Sequence, residues 1–127
     1  MVDADHFKEV NDTFGHDAGD DVLRELSKAL AHTVRSDDIV CRLGGDEFLI
    51  ICPNTDQEGG MHIAELARAT VSVLWVPTGD AAWPGSISAG VAARSAEMGN
   101  HEALNTRADE GVYAAKRDGR NSVRFTG

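Results

Sequence analysis

Cysteine is scarce in this chain: there are two, Cys41 and Cys52. Each sits in a strand-like run, and a turn at Gly44-Gly45 would set Cys41 opposite Phe48 or Leu49, short of Cys52. No disulfide is expected, and buried reduced thiols fit a cytoplasmic protein. Long apolar runs are missing as well. The longest, Phe48 to Cys52 and Val71 to Val76 with Ser72 inside it, fall far short of a membrane span. No basic segment followed by an apolar stretch opens the sequence, so no signal peptide is expected. Positive charge is also in short supply, with 12 basic residues against 21 acidic ones and a net charge of -9. Such an excess repels a nucleic-acid backbone and argues against DNA or RNA as a partner. It leaves nucleotides open, because a divalent cation can sit between an acidic pocket and a triphosphate.

What remains is ordinary for a globular chain. The 127 residues suit one domain with a real core, and 42% hydrophobic with 26% charged residues excludes disorder. Residues 1 to 5 read as a strand entering a short helix around His6 to Asn11, with Asp5 as its N-cap. Thr13 to Ala18 reads as a loop. Val22, Leu23, Leu26, Leu30 and Val34 then recur at helical spacing over Gly19 to Val34. Two strand-like runs, Ile39 to Leu43 and Glu47 to Cys52, are joined at Gly44-Gly45 as a hairpin. The second is apolar on both faces, as a strand buried in mid-sheet would be. A helix over Glu58 to Leu74, a turn at Pro77 to Asp80, a strand over Ser86 to Ala92, a helix over His101 to Lys116 stopped by Gly119, and a strand over Ser122 to Phe125 complete the chain. The order β-α-α-β-β-α-β-α-β predicts an α/β (α+β) fold, with a mixed sheet covered by helices and related to the split βαβ arrangement.

The chemistry concentrates in Arg42-Leu43-Gly44-Gly45-Asp46-Glu47-Phe48. Two glycines bare the backbone, so a base or phosphate can approach closely. Two carboxylates follow at the tip of an otherwise apolar hairpin, where they cost solvation and repulsion unless a cation joins them. A lone Gly-Gly-Asp is more readily a solvated turn. Asp3 and Asp5, however, add two acids on one face of the first strand. If that strand lies beside the hairpin, Asp3 and Asp46 can share a hard cation, with Asp5 serving as cap. Oxygen ligands without a His/Cys cluster favour magnesium or manganese over zinc.

Several segments together resemble GGDEF diguanylate cyclases in order and spacing. They are Asp3-Ala4-Asp5-His6-Phe7-Lys8, Asn11-Asp12-Thr13-Phe14-Gly15-His16, Gly19-Asp20, Gly44 to Phe48, Ser88-Ala89-Gly90-Val91, and Arg107 to Glu110 running on through Tyr113, Lys116 and Gly119-Arg120-Asn121. The resemblance implies a nucleotidyl-cyclase or ferredoxin-like palm, with a central mixed sheet, a hairpin that carries the signature, and surrounding helices. It also implies that two GTP molecules are joined into cyclic di-GMP with loss of pyrophosphate, in a homodimer, with Mg2+ or Mn2+ as cofactor.

By that resemblance Asp3, the Ala4 carbonyl, Asp46 and Glu47 hold the metal, and Asp46 and Glu47 carry the catalysis. Asn11 and Asp20 read guanine, whose ring N–H and amino group a carboxylate can accept together. The backbone at His6 and Phe7 and the bare turn at Gly44 meet the nucleotide, and Lys8, Lys116 and Arg120 neutralise its phosphates. Arg35-x-x-Asp38, five residues before Gly44, matches the family's inhibitory site for cyclic di-GMP, where arginine forks to the ligand and Asp accepts from the base. A further inhibitory arginine of some members would fall at Leu66, with Arg68 nearby.

Singly, each of these residues has a plainer use. Asn11 and Asp20 can stabilise loops or cap a helix, Lys116 and Arg120 suit a helix C-terminus, and Arg35 with Asp38 makes a surface ion pair. Family domains begin earlier, with a helix and a longer first strand, so residues 1–127 are expected to be a GGDEF domain lacking that helix and part of that strand. A receptor of the same fold that binds cyclic di-GMP without making it is the alternative. An acid-pair hydrolase is a third reading, which leaves Asn11, Asp20, Lys116 and Arg120 without a task.

Overall fold

The structure, a computed structural model, describes residues 1–96 and 98–126. Eleven elements follow in chain order: β1 Val2–Ala4, α1 Phe7–Phe14, α2 His16–Thr33, β2 Ile39–Gly44, β3 Glu47–Ile51, α3 Gln57–Ser72, β4 Trp75–Pro77, β5 Ala82–Pro84, β6 Ile87–Val91, α4 His101–Arg117 and β7 Ser122–Phe125. Five strands form one mixed sheet in the order β2-β3-β1-β6-β7. The first three pairings are antiparallel, and β6 pairs parallel with β7 across the α4 crossover. The α+β palm expected from the sequence is therefore present, with four helices around a sheet whose central strand is β1.

Register sorts the two faces of that sheet. Val2 lies opposite both Phe48 and Ala89, and Ala89 lies opposite Val123. This row joins Val22, Leu26 and Leu30 of α2 with Ala67 and Val71 of α3 in one apolar core. Alternation then turns Asp3, Ser88 and Gly90 to the other face, where α4 packs. Helix and sheet touch backbone to backbone there. A Cβ on Gly90 would lie 1.9 Å from the Ala108 carbonyl oxygen, and one on Gly111 would lie 2.7 Å from Gly90 Cα. The two glycines set how closely α4 sits, and hence where its C-terminal lysine ends up.

The structure departs from the sequence expectations in four places. The loop expected over Thr13 to Ala18 shrinks to Gly15, whose φ of 91° breaks the chain between α1 and α2. The turn at Pro77 to Asp80 proves to be the tip of a β4–β5 hairpin, too short for a periodic signal. The N-cap of α1 is His6, not Asp5, and no side chain caps that helix. β3 is one strand in from the edge, and Ile51 is 44% exposed, so its outer face is only partly covered. Helix α3 starts at Gln57, where Asp56 caps it through the Gly59 N–H.

No helix among the described residues is long and apolar enough to cross a membrane. Cys41 and Cys52 are free thiols, and Cys41 faces Leu49 as the hairpin register requires.

Candidate active site

Three turns meet at one end of β1, and local sequence fixes each. The hairpin turn uses Gly44 at φ 149° and Gly45 at φ 50°, a geometry that a side chain would strain. Arg42 closes it by donating from Nε and Nη2 to the Gly45 carbonyl. The turn from β1 into α1 passes through His6 at φ 65°. The third turn ends α4 in a Schellman motif: the Gly119 N–H donates to the Lys116 carbonyl and the Arg120 N–H to the Ala115 carbonyl. These turns are joined to one another. The Ala4 N–H donates to the Asp46 carbonyl at 3.1 Å, and the Asn121 N–H donates to Asp5 Oδ2 at 3.0 Å.

Asp3, Asp46, Glu47 and Lys116 come together where these turns converge. Asp3 lies opposite Glu47 in the β1–β3 register. Its carboxylate is buried: Oδ2 accepts from Lys116 Nζ at 2.6 Å, while Oδ1 has no partner. Burial and then the charge of Asp3 push Asp46 above the usual carboxylate range, and the same two causes act on Glu47. Burial pulls Lys116 down, but the hydrogen bond and charge of Asp3, with Asp46 and Asp5, outweigh it and leave Lys116 raised. The cluster holds more negative charge than one lysine balances. An orphaned, buried carboxylate oxygen beside two acids held partly against ionisation suits a hard divalent cation. Among the described residues no three His, Cys, Asp or Glu side chains already converge as a ligand cage, and Lys116 supplies the positive charge instead.

Asn11 is held by a gap in its neighbour. A Cβ on Gly19 would fall 1.8 Å from Asn11 Oδ1, so the amide of Asn11 rests where a side chain at 19 would be. That oxygen is buried and unpaired. Asp20 follows directly on α2 and is exposed, as are Lys8, His6 and Arg120, whereas the Phe7 side chain is core. Any contact that Phe7 makes with a nucleotide is therefore through its backbone.

Arg35 and Asp38 lie elsewhere. The six steps from Asp46 to Cys52, through β3, span about 20 Å, and Thr55 beyond them accepts from Arg35 Nη2. Arg35 gives its backbone N–H and Nε to Asp38 Oδ2 and its Nη2 to Oδ1, all within 3.0 Å. The Asp38 side chain is covered, and Arg35 supplies all three of these bonds. Its work in this structure is to hold Arg35. Arg68 pairs with Glu65 and reaches Asn121, while Leu66 is exposed.

A cavity of about 680 Å3 lies away from the acids, where β3 and β6 continue past Met1. Its lining is mainly apolar, with Asp56, Arg94 and His101 among the lining residues, and includes none of Asp3, Asp46, Glu47 or Lys116.

Sequence reasoning gave no role to Ser86, Ser88, Trp83 or Asn121, yet all four bond to Asp5. The alternation Ser86-Ile87-Ser88 was the available signal, since it puts two hydroxyls on one face of an otherwise apolar strand.

Fold and site thus define an α+β palm with an acidic pocket at a glycine hairpin. The family described as "Diguanylate cyclase, GGDEF domain" matches residues 1–122. The chain belongs to the GGDEF family. It is 49% identical over 125 residues to the response regulator PleD of Caulobacter vibrioides, covering 97% of this chain and 28% of that protein. Diguanylate cyclase DosC of Escherichia coli is 38% identical over 126 residues, 97% of this chain and 27% of that one. The GGDEF domain of PA1120 from Pseudomonas aeruginosa superimposes with a TM-score of 0.89 at 34% identity, over 99% of this chain and 79% of that one. The GGDEF domain of DgcB from Caulobacter crescentus, solved in complex with c-di-GMP, superimposes at 0.81 with 30% identity, over 98% and 73%. The chain spans less than a third of the two curated relatives, so these likenesses concern the domain alone.

Proposed function

We propose that residues 1–127 form a diguanylate cyclase domain that condenses two GTP into cyclic di-GMP, with Mg2+ or Mn2+ as cofactor. The observation that carries this reading is the buried, unpaired Asp3 Oδ1 beside Asp46 and Glu47. Asp3, the Ala4 carbonyl, Asp46 and Glu47 would hold the cation, which would neutralise phosphoryl oxygens as charge builds there. Asn11 and Asp20 hold guanine. The uncapped amides at His6 and Phe7 meet phosphate oxygens, as do Lys8, Lys116 and Arg120, and the bare backbone at Gly44 leaves room for the ribose and phosphates.

In each half-reaction a 3′-oxygen attacks the α-phosphorus of the other nucleotide. One P–O bond forms, the bond to pyrophosphate breaks, and the hydroxyl proton leaves to Glu47 or water. Each domain would hold one GTP, as the family resemblance implies, so two domains face each other as a homodimer. Product binds back at Arg35, which Asp38 presents, and slows turnover. Purified protein with GTP and Mg2+ should yield cyclic di-GMP and pyrophosphate on chromatography, and Asp46→Ala should yield neither. Free phosphate as the product would indicate a hydrolase. No product, with cyclic di-GMP binding that Arg35→Ala abolishes, would favour the receptor.

A further inference from the structure

Asp5 is among the most deeply buried residues of the chain, at 1% exposure, and neither the metal set nor the nucleotide contacts above use it. Every polar atom it carries is engaged. Its N–H donates to the Ser86 carbonyl at 2.9 Å, and its carbonyl accepts from Trp83 Nε1 at 2.8 Å. Oδ1 accepts from Ser88 at 2.7 Å, and Oδ2 from Ser86 Oγ at 2.6 Å and the Asn121 N–H at 3.0 Å. Among the described residues Asp5 forms no ion pair, the nearby Lys116 being held by Asp3. A carboxylate is normally buried like this only where its hydrogen bonds are all made.

The position of these bonds matters more than their number. Asp5 sits between Ala4 and His6, whose left-handed backbone starts α1. Asn121, its partner across the site, follows Arg120, and both have positive φ, 43° and 67°. Non-glycine residues hold such conformations when their surroundings fix them. Asp5 therefore ties two strained turns to each other and to the β5–β6 segment: the turn that exposes the amides at His6 and Phe7, and the turn that carries Arg120 after Lys116.

We infer that Asp5 is a positioning residue for the triphosphate, one that locks the β1–α1 and α4–β7 turns in register so that their amides and cations converge on the same phosphates. This rests on the GTP-binding reading above. In Asp5→Asn one acceptor oxygen with two lone pairs remains, so at least one of the three donors loses its partner while the shape is retained. Asp5→Ala loses all three.

The test is GTP affinity by calorimetry, with Ca2+ in place of Mg2+ to prevent turnover, together with amide hydrogen exchange on the same proteins. Asp5→Asn should weaken GTP about tenfold and Asp5→Ala about a hundredfold, the range seen when an orienting partner is removed. Exchange should quicken together at residues 6–7 and 120–121, with the α2 amides of Leu26 and Leu30 unchanged. Faster exchange across the whole domain with unaltered GTP affinity in Asp5→Asn would reduce Asp5 to a structural residue and overturn the inference. Should Asp5→Ala not fold, Asp5→Asn decides alone. If the unsubstituted protein binds no GTP, the cyclase reading falls, and joint quickening at the two turns still decides whether Asp5 couples them.

Discussion

Asp3 and Lys116 stand 113 residues apart in sequence, and their side chains meet at 2.6 Å across the face of the sheet. The contact pairs the central strand with the last turn of α4, and it leaves one oxygen of Asp3 unpartnered. A divalent cation bound at that oxygen would share Asp3 with the lysine. In Lys116→Ala the buried carboxylate loses its counter-charge, so the protein should melt earlier without metal. Millimolar Mg2+ should close most of that gap. Melting curves with and without Mg2+ test this, and a deficit that Mg2+ leaves untouched would count against a cation at Asp3. Turnover should fall about a hundredfold whatever the Mg2+ level if, as proposed, the lysine also meets phosphate.

Asp46 is held above its ordinary pKa by burial and by Asp3, so its ionised form costs the fold stability. The penalty is absent below the ordinary carboxylate range, grows between the ordinary and the raised value, and is complete above it. Asp46→Asn should therefore melt a few degrees higher than the unsubstituted protein at neutral pH without metal, and lose that advantage in acid. It should form no cyclic di-GMP. Equal melting temperatures at neutral pH would mean that the acids do not repel.

Gly19→Ala separates stability from recognition. Alanine favours the helix by about 1 kcal/mol, which offsets the cost of moving the side chain it meets. That side chain is Asn11, whose oxygen lies 1.8 Å from the new Cβ. The melting temperature should change little, while GTP affinity should drop about tenfold or more through loss of the proposed contact to guanine. Unchanged affinity would remove Asn11 from the nucleotide site.

Gly90→Ala and Gly111→Ala press on backbone on both sides, with nothing flexible to yield. Each should cost about 1–3 kcal/mol or more in urea unfolding. GTP affinity should fall with it, because α4 carries Lys116.

The Arg35 hydrogen bonds hold Asp38 below the usual carboxylate range. Its contribution to stability is then present above the ordinary carboxylate pKa and is lost as pH falls through the lowered one. Asp38→Asn should be slightly less stable at pH 7, with the difference vanishing in acid. Cyclic di-GMP should bind more weakly to it because Arg35 is no longer held, which calorimetry can measure.

Local pattern made much of this legible. Helical spacing gave α2, α3 and α4 to within a few residues, because their buried faces repeat every three to four positions. Gly44-Gly45 gave the hairpin and the correct partner for Cys41. Gly15 was harder, since the polar residues around it imitate a loop while their backbone stays helical on either side. Asp5 was harder still. An acid before a helix ordinarily caps it, and only the arrival of Ser86, Ser88 and Asn121 from distant segments gives its carboxylate other donors.

The sequence alone determined which residue types were available and where the chain turns: acids at 3, 5, 46 and 47, glycines at 44, 45 and 119, and a basic end to α4. These depend on neighbours a few positions away, through alternation along a strand, helical period and the conformational freedom of glycine. Only the tertiary structure decided that β1 lies between β3 and β6, and hence that Asp3 stands beside Glu47 and under Lys116. Strand order is set by which apolar faces bury together in one core, a property of the whole chain that no local window contains.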